Sequence, residues 1–301
     1  MRELPTHQVL QREADIMRLL ACPSCRRLLS MTTASASCPS CRQEFRRRGA
    51  VWDIMPPGVE LVGSEAKKAP RRGWKHRLRP PSPSLNVNRS RLLQLVQHAS
   101  ANGPVLDLGS GARRLGERVI NFDLDLFVNV DVIGSAGALP FVDAGFDLVI
   151  CQAVLEHVRD PHGVVAEIGR VLSGSGCVYA EIPFLQGYHA DPHDYQRYTQ
   201  AGIEALFGDF AAIETGVCVG PASALGWVLI ELAALLVPTQ LAKKGVRFTV
   251  GWLAAAMKQC DRVLARRPDA HRIAAGLFFL GRKKGGPGIG PGPAVCSDTA
   301  S

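Results

Sequence analysis

Two cysteine pairs, Cys22-Pro-Ser-Cys25 and Cys38-Pro-Ser-Cys41, stand twelve residues apart. Each pair can wrap a turn around one tetrahedral ion through two thiolates. Two such turns close a four-sulfur zinc site. With every coordination position filled by Cys22, Cys25, Cys38 and Cys41, the zinc would be structural and not catalytic. An iron–sulfur centre or a pair of redox dithiols are the alternatives. Residues 22–55 hold few apolar side chains, so metal binding would supply much of the folding free energy of this unit.

A second constellation begins at Val105-Leu-Asp-Leu-Gly-Ser-Gly111, a hydrophobic strand running into a glycine turn. Gly109 and Gly111 there allow positive φ and close approach of backbone to a ligand. The carboxyl end of such a strand is also where open parallel sheets bind their ligands. The turn is not the dinucleotide fingerprint, because Arg114 stands where a third glycine would fall, and no Lys-Ser/Thr follows as in a phosphate loop. Acid takes the place of phosphate recognition. Asp107 precedes the turn, and Asp123 sits near the end of the next strand, where its carboxylate can accept both hydroxyls of a ribose. A ligand that combines a ribose, an ammonium and a sulfonium suits this crevice; a pyrophosphate does not.

A third group follows the later strands. Gln152, Glu156 and His157 come after one of them. After the next comes a segment with His189, Asp191, His193, Asp194, Tyr195, Arg197 and Tyr198. Such a make-up in a loop at strand ends points to a site and not to packing. His189 and His193 are the general-base candidates, with Asp194 orienting one of them. His157 reads as structural, bonded to backbone near the ligand loop.

The elements that must position these groups follow from periodicity. Residues 8–20, 89–99, 162–172 and 199–208 read as helices. Val105–Leu108, Val119–Leu124, Val128–Ile133, Phe146–Cys151 and Cys177–Ile182 read as buried strands, with a closing strand at 274–281. Strands that alternate with crossovers imply an α/β fold with a doubly wound, mostly parallel sheet. Only a few residues separate Gly111 from Val119, so the first crossover is too short for a full helix. The expected organisation is an N-terminal helix and zinc ribbon over 1–55 and a Pro-rich basic linker over 56–88. A main domain over 89–284 carries an apolar helical insertion at about 221–265, and a disordered tail covers 285–301. Residues 222–237 are apolar apart from Glu231. As a helix they would reach about 24 Å, short of the roughly 30 Å of bilayer hydrocarbon, so no transmembrane span is expected.

The net charge of +8 is unevenly spread: +11 over residues 1–91, −11 over 92–242 and +8 over 243–301. An acidic middle suits a cation-bearing ligand, and basic ends suit an anionic partner. The N-terminus shows no secretory pattern, and the nine cysteines include two matched metal-type pairs. A cytoplasmic location is expected, with peripheral contact to the inner face of the membrane.

From Val105 to Phe207 the chain resembles the class I methyltransferases, specifically the methyltransferase type 11 group. The likeness rests on Asp-Leu-Gly-Ser-Gly (107–111), Ala-Leu-Pro-Phe (138–141), Phe-Asp-Leu-Val (146–149), Leu-Glu-His-Val (155–158) and Glu-Ile-Gly-Arg-Val-Leu (167–172). It implies a Rossmann-like domain that takes S-adenosyl-L-methionine. Gly109 and Gly111 would pass the methionine moiety, Asp123 would hold the ribose, and the loop from Ala136 to Leu139 would flank the adenine. Asp107 and Gln152 complete the implied cofactor set. Ser135 stands where the group often has an acidic residue. Residues 20–55 resemble the Trm112-like zinc ribbons, which precede the methyltransferase domain in some ribosomal RNA methyltransferases.

Three functions are open on this reading. The first is S-adenosylmethionine-dependent methyl transfer to a small-molecule, glycan or lipid-linked acceptor, with the apolar segment and the basic C-terminal stretch against an anionic membrane. The second is an RNA methyltransferase that docks rRNA or tRNA through the ribbon and basic linker. The third is a non-enzymatic adaptor.

Overall fold

The computed structural model describes residues 7–59 and 79–284. Most of the expected linker, and all of the expected tail, therefore lie outside the described residues. Helix α1 (His7–Leu19) leads into a four-stranded antiparallel ribbon: β1 (Ser30–Met31), β2 (Ser35–Ser37), β3 (Glu44–Arg48) and β4 (Val51–Asp53). Then come α2 (Arg89–Asn102), β5 (Val105–Leu108), β6 (Val119–Asp123), β7 (Val132–Ile133), β8 (Phe146–Gln152), α3 (Pro161–Val171), β9 (Leu172–Pro183) and α4 (Gln200–Leu206). The chain continues through β10 (Phe210–Val219), α5 (Pro221–Leu235), α6 (Gln240–Met257) and α7 (Asp261–Leu264), and closes with β11 (Gly276–Lys283).

All eleven strands join one sheet in the order β1-β2-β3-β4-β7-β6-β5-β8-β9-β11-β10. Its centre, β4 through β9, is parallel, and β11 and β10 add an antiparallel edge. The central strands β5 and β6 are buried almost throughout, as parallel strands covered on both faces must be. Leu92, Leu95, Val96 and Ala99 of α2 pack one face against Val105, Leu148 and Phe278. The other face carries Val164, Val165, Ile168 and Val171 of α3, with Asp160 capping that helix through the Gly163 N–H and Pro161 at its first turn.

The ribbon is an extension of this sheet. β4 pairs in parallel with β7, Trp52 beside Val132 and Asp53 beside Ile133. Ile16, Leu19, Leu29, Phe45, Trp52 and Ile54 lie in the same buried cluster as Leu106, Ile120, Phe122 and Phe141. Helix α1 sits over β6 and fills in for the abbreviated crossover, where residues 112–118 form only turns. Arginines tie that crossover down. Arg114 donates to the carbonyls of Val119 and Asn129, and Arg118 to that of Ser100.

Three elements differ from the sequence expectation. The third parallel strand is only Val132–Ile133, because residues 127–130 turn back, with the Asn129 amide on the Ala112 carbonyl at 2.7 Å. Strand β10 has an exposed, weakly alternating pattern that periodicity does not flag. The end of the expected linker packs on the domain: Pro83 is buried, Val87 N–H donates to the Cys218 carbonyl, and Leu85 N–H donates to the Ser223 hydroxyl. The apolar segment forms a helical hairpin, α5 against α6. The fully buried Asp261 carboxylate accepts the Ala222 and Ser223 N–H groups at the start of α5, at 2.8 and 2.9 Å.

Trp52 is 2% exposed and joins ribbon to domain. Trp52→Ala is expected to cost about 3–5 kcal/mol of stability. Urea unfolding followed in the ribbon and in the domain should give one coincident transition; two separated transitions would contradict the shared core.

Candidate active site and cysteine cluster

The two cysteine turns are built alike. Arg26 and Arg42, the residues after each pair, are both left-handed, with φ of 60° and 61°. In each turn the N–H of that arginine donates to the carbonyl of the pair's first cysteine, Cys22 or Cys38. This aims four sulfurs at one point. Cys22 and Cys41 Sγ are 3.5 Å apart, Cys25 and Cys38 3.3 Å, and Cys25 and Cys41 3.9 Å. A tetrahedral ion with zinc–sulfur bonds of about 2.3 Å has sulfur–sulfur edges of about 3.8 Å. The donor set is compatible with a zinc ribbon.

Facing the carboxyl ends of β5, β6 and β8 is a cleft of about 450 Å³. Gly109, Gly111, Asp123, Asp125, Ala136, Val154, His157 and Asp160 line it. Both glycines have positive φ, 71° and 56°. A side chain at Gly109 would run into Val154 at 2.2 Å, whereas at Gly111 it would project into the open cleft. The Asp123 carboxylate accepts Gly111 N–H at 2.8 Å and Asp125 N–H at 3.0 Å. Burial, reinforced by the Asp125 charge, pushes its carboxyl above the usual range. Of the residues singled out from sequence, Gly109, Gly111, Asp123 and Ala136 share this cleft. Asp107 is fully buried beneath it and held in a bidentate pair by Arg113, at 2.9 and 3.2 Å. Gln152 donates to Glu181 at 2.6 Å. Leu139 is buried, and its N–H donates to Glu167 at 2.8 Å.

Glu167 connects the two sites. Its carboxylate takes the Leu139 N–H, the Arg170 guanidinium at 2.7 Å and Arg26, from the first cysteine turn, at 3.2 Å. Arg170 continues to the carbonyls of Leu139 and Phe141. Just beyond, Ala21 N–H donates to the Pro140 carbonyl and Val142 N–H to that of Leu19. The loop at 135–139 is thus braced by the residues that carry Cys22. Apart from the Glu167–Arg170 pair, three apart on one helix, these pairings are not visible in the sequence, where Arg26 and Glu167 are 141 positions apart.

The proposed base segment divides. Asp194 is clamped by both guanidinium nitrogens of Arg197 and accepts the backbone N–H of His189 at 2.9 Å. Its carboxylate lies 3.8 Å from His189 Nδ1, beyond hydrogen-bond reach. His193 is exposed against the Tyr195 ring, and its backbone carbonyl meets His157 Nδ1 at 2.5 Å. His189 turns its Nε2 to Glu156 at 3.5 Å, and that carboxylate raises the imidazolium pKa. Glu156, which the sequence placed after a strand without a role, is fully buried beside these two rings.

Glu167→Ala would remove one carboxylate partner of Arg170 and leave the buried Leu139 N–H unpaired, and is expected to cost about 1–3 kcal/mol. Arg26→Ala, whose side chain is 60% exposed, should cost under about 1 kcal/mol. Denaturant unfolding of both variants checks this, and equal losses would refute the ranking.

Residues 106–180 match the family model for a methyltransferase domain. No curated protein matches the sequence. Among solved structures, phosphoethanolamine N-methyltransferase 2 of Haemonchus contortus, in complex with S-adenosyl-L-methionine, is 17% identical with a TM-score of 0.40; the match covers 63% of this chain and 52% of that one. The 1,6-didemethyltoxoflavin-N1-methyltransferase of Burkholderia thailandensis, solved with S-adenosylhomocysteine, is 16% identical with a TM-score of 0.37, covering 65% of this chain and 78% of that one. A SAM dependent methyltransferase from Archaeoglobus fulgidus is 13% identical with a TM-score of 0.39, covering 65% and 92%. The family match runs from β5 into β9, on a parallel sheet whose glycine turn opens into an acidic cleft, and it identifies residues 106–180 as a methyltransferase domain.

Proposed function

We propose that the chain methylates a small-molecule, glycan or lipid-linked acceptor at an anionic membrane surface, with S-adenosyl-L-methionine held in the cleft. When bound, that cofactor supplies a methyl group on a sulfonium. Asp123 would accept the ribose hydroxyls, the loop around Ala136 would flank the adenine, and the Gly109–Gly111 turn would admit the methionine moiety. The fit rests on the open space at Gly111 and on a half-buried carboxylate that accepts two backbone N–H groups beside a second acid. Cys22, Cys25, Cys38 and Cys41 would hold one structural zinc, which fixes the ribbon that braces the adenine loop.

The α5–α6 hairpin carries the acceptor part of this reading. Its tip exposes Leu232, Leu235, Leu236 and Leu241, at 51, 76, 78 and 82%, and Trp252 and Leu253 follow on α6. Lys244, Arg262, Arg266 and Arg267 are exposed on the following stretch. No helix among the described residues is long and apolar enough to cross a membrane. An apolar tip beside basic residues suits an interfacial position on anionic lipid. The base of α5 reaches the acceptor side, with Trp227 against Gly187, two residues before His189.

Calorimetry with S-adenosyl-L-methionine should show binding that weakens roughly tenfold or more in Asp123→Asn, the loss expected for hydrogen bonds to a charged group. Unchanged affinity would remove Asp123 from the site. Co-sedimentation with vesicles should show binding to anionic lipid that is lost in the double variant Leu235→Glu/Leu236→Glu. Binding to bulk RNA but not to vesicles would instead favour nucleic acid as the acceptor.

A further inference from the structure

Beside the cleft, three side chains converge on one point. Glu156 is fully buried, and neither carboxylate oxygen has a hydrogen-bond partner among the described residues. His189 Nε2 lies 3.5 Å and His157 Nε2 3.8 Å from the same oxygen, Oε1. One donor atom from each of the three lies within 4.8 Å of the other two.

The tautomers follow from the far side of each ring. His157 Nδ1 meets the His193 carbonyl at 2.5 Å, and a carbonyl can only accept, so Nδ1 carries the proton. His189 Nδ1 meets the Gly187 carbonyl at 3.2 Å, shorter than its 3.5 Å approach to Arg197, which assigns the same tautomer. In the neutral rings both Nε2 atoms then present lone pairs toward an anionic oxygen. A buried carboxylate with no donor is costly. A metal ion at the centre would satisfy all three, whereas a proton on His189 Nε2 would satisfy only that ring and Glu156.

We propose that Glu156, His157 and His189 form a binding site for one divalent transition-metal ion, separate from the cysteine cluster. Metal-bound histidines commonly donate their other ring N–H to a backbone carbonyl, as both do here. Two imidazoles and a carboxylate suit zinc, cobalt, nickel or ferrous iron. Bonds of about 2.0–2.2 Å need donor atoms about 3.0–3.5 Å apart, so closure takes only small side-chain shifts. His157 also lines the cleft, so the ion's open side faces the acceptor and would take an oxygen ligand from it. That role toward the acceptor rests on the methyl-transfer reading; the metal site itself does not.

The test is titration of Co2+ into the full-length protein with its cysteine site already loaded with zinc, followed by visible absorption and by thermal melting. One equivalent should bind with d–d bands and no thiolate charge-transfer band, and should raise the melting temperature. Affinity should fall tenfold or more in Glu156→Gln and in His189→Ala, and stay unchanged in His162→Ala, an exposed histidine elsewhere. Glu156→Gln supplies an amide N–H to the waiting lone pairs, so it should fold without metal, and Co2+ should no longer raise its melting temperature. Absence of Co2+ uptake beyond the cysteine site would overturn the proposal, with a protonated His189 seen by NMR identifying the occupant as a proton. Uptake retained in both variants would overturn it equally. Calorimetry with S-adenosylhomocysteine on the same samples reads the cofactor cleft independently, so failure of one reading is distinguishable from failure of the other.

Discussion

A parallel strand at a sheet edge leaves backbone donors and acceptors that something must pair. Here the strand is β7, only two residues long, and its partner is the last strand of the ribbon. Trp52 N–H donates to the Asp131 carbonyl and Ile54 N–H to that of Ile133, both at 2.9 Å. The ribbon therefore completes the sheet beside β7. It also lends the domain a helix, because α1 covers β6 where the chain has too few residues for a crossover helix.

That arrangement gives the cysteine cluster a consequence beyond its own folding. Cys22 follows directly on the segment that bonds to Pro140 and Val142, and Arg26 lies on Glu167. Both contacts converge on the loop between β7 and β8 that flanks one wall of the cleft. An ion held by the cysteine turns would brace this wall through the same contacts. The stabilisation comes mainly from the buried hydrogen bonds of Glu167, since the Arg26 end is solvent-exposed and contributes little.

The opposite wall is built by different physics. After β8 and β9 the chain forms loops whose charged groups pair tightly: Asp194 with Arg197, and Glu181 with Asn86, Gln152 and Tyr179. Against these satisfied networks, Glu156 stands out as a buried acid facing two imidazoles. The α5–α6 hairpin, held by Asp261 at its first turn, brings an apolar surface to the same side through Trp227. His157 lines the cleft and belongs to the Glu–His–His cluster, and Trp227 of the hairpin lies against Gly187, two residues from His189.

The sequence by itself determined the parts that local chemistry dictates. Matched cysteine turns, a glycine turn after a buried strand, and an acid at the next strand's end each depend on residues within a short window, and spacing alone reveals them. Short apolar runs alternating with helical periods likewise sufficed for the doubly wound sheet, because burial on both faces leaves no other pattern. Which polar groups pair was decided only by tertiary structure, even between near neighbours in the chain. Nothing local to Asp107 foretells that Arg113 will occupy it. Nor does the order of residues near Asp194 say that it will hold Arg197 and the His189 backbone, leaving the imidazole to Glu156. Strand β10 escaped notice because an edge strand needs little apolar alternation. The ribbon's place in the sheet was equally hidden, since backbone pairing between β4 and β7 carries no side-chain signature.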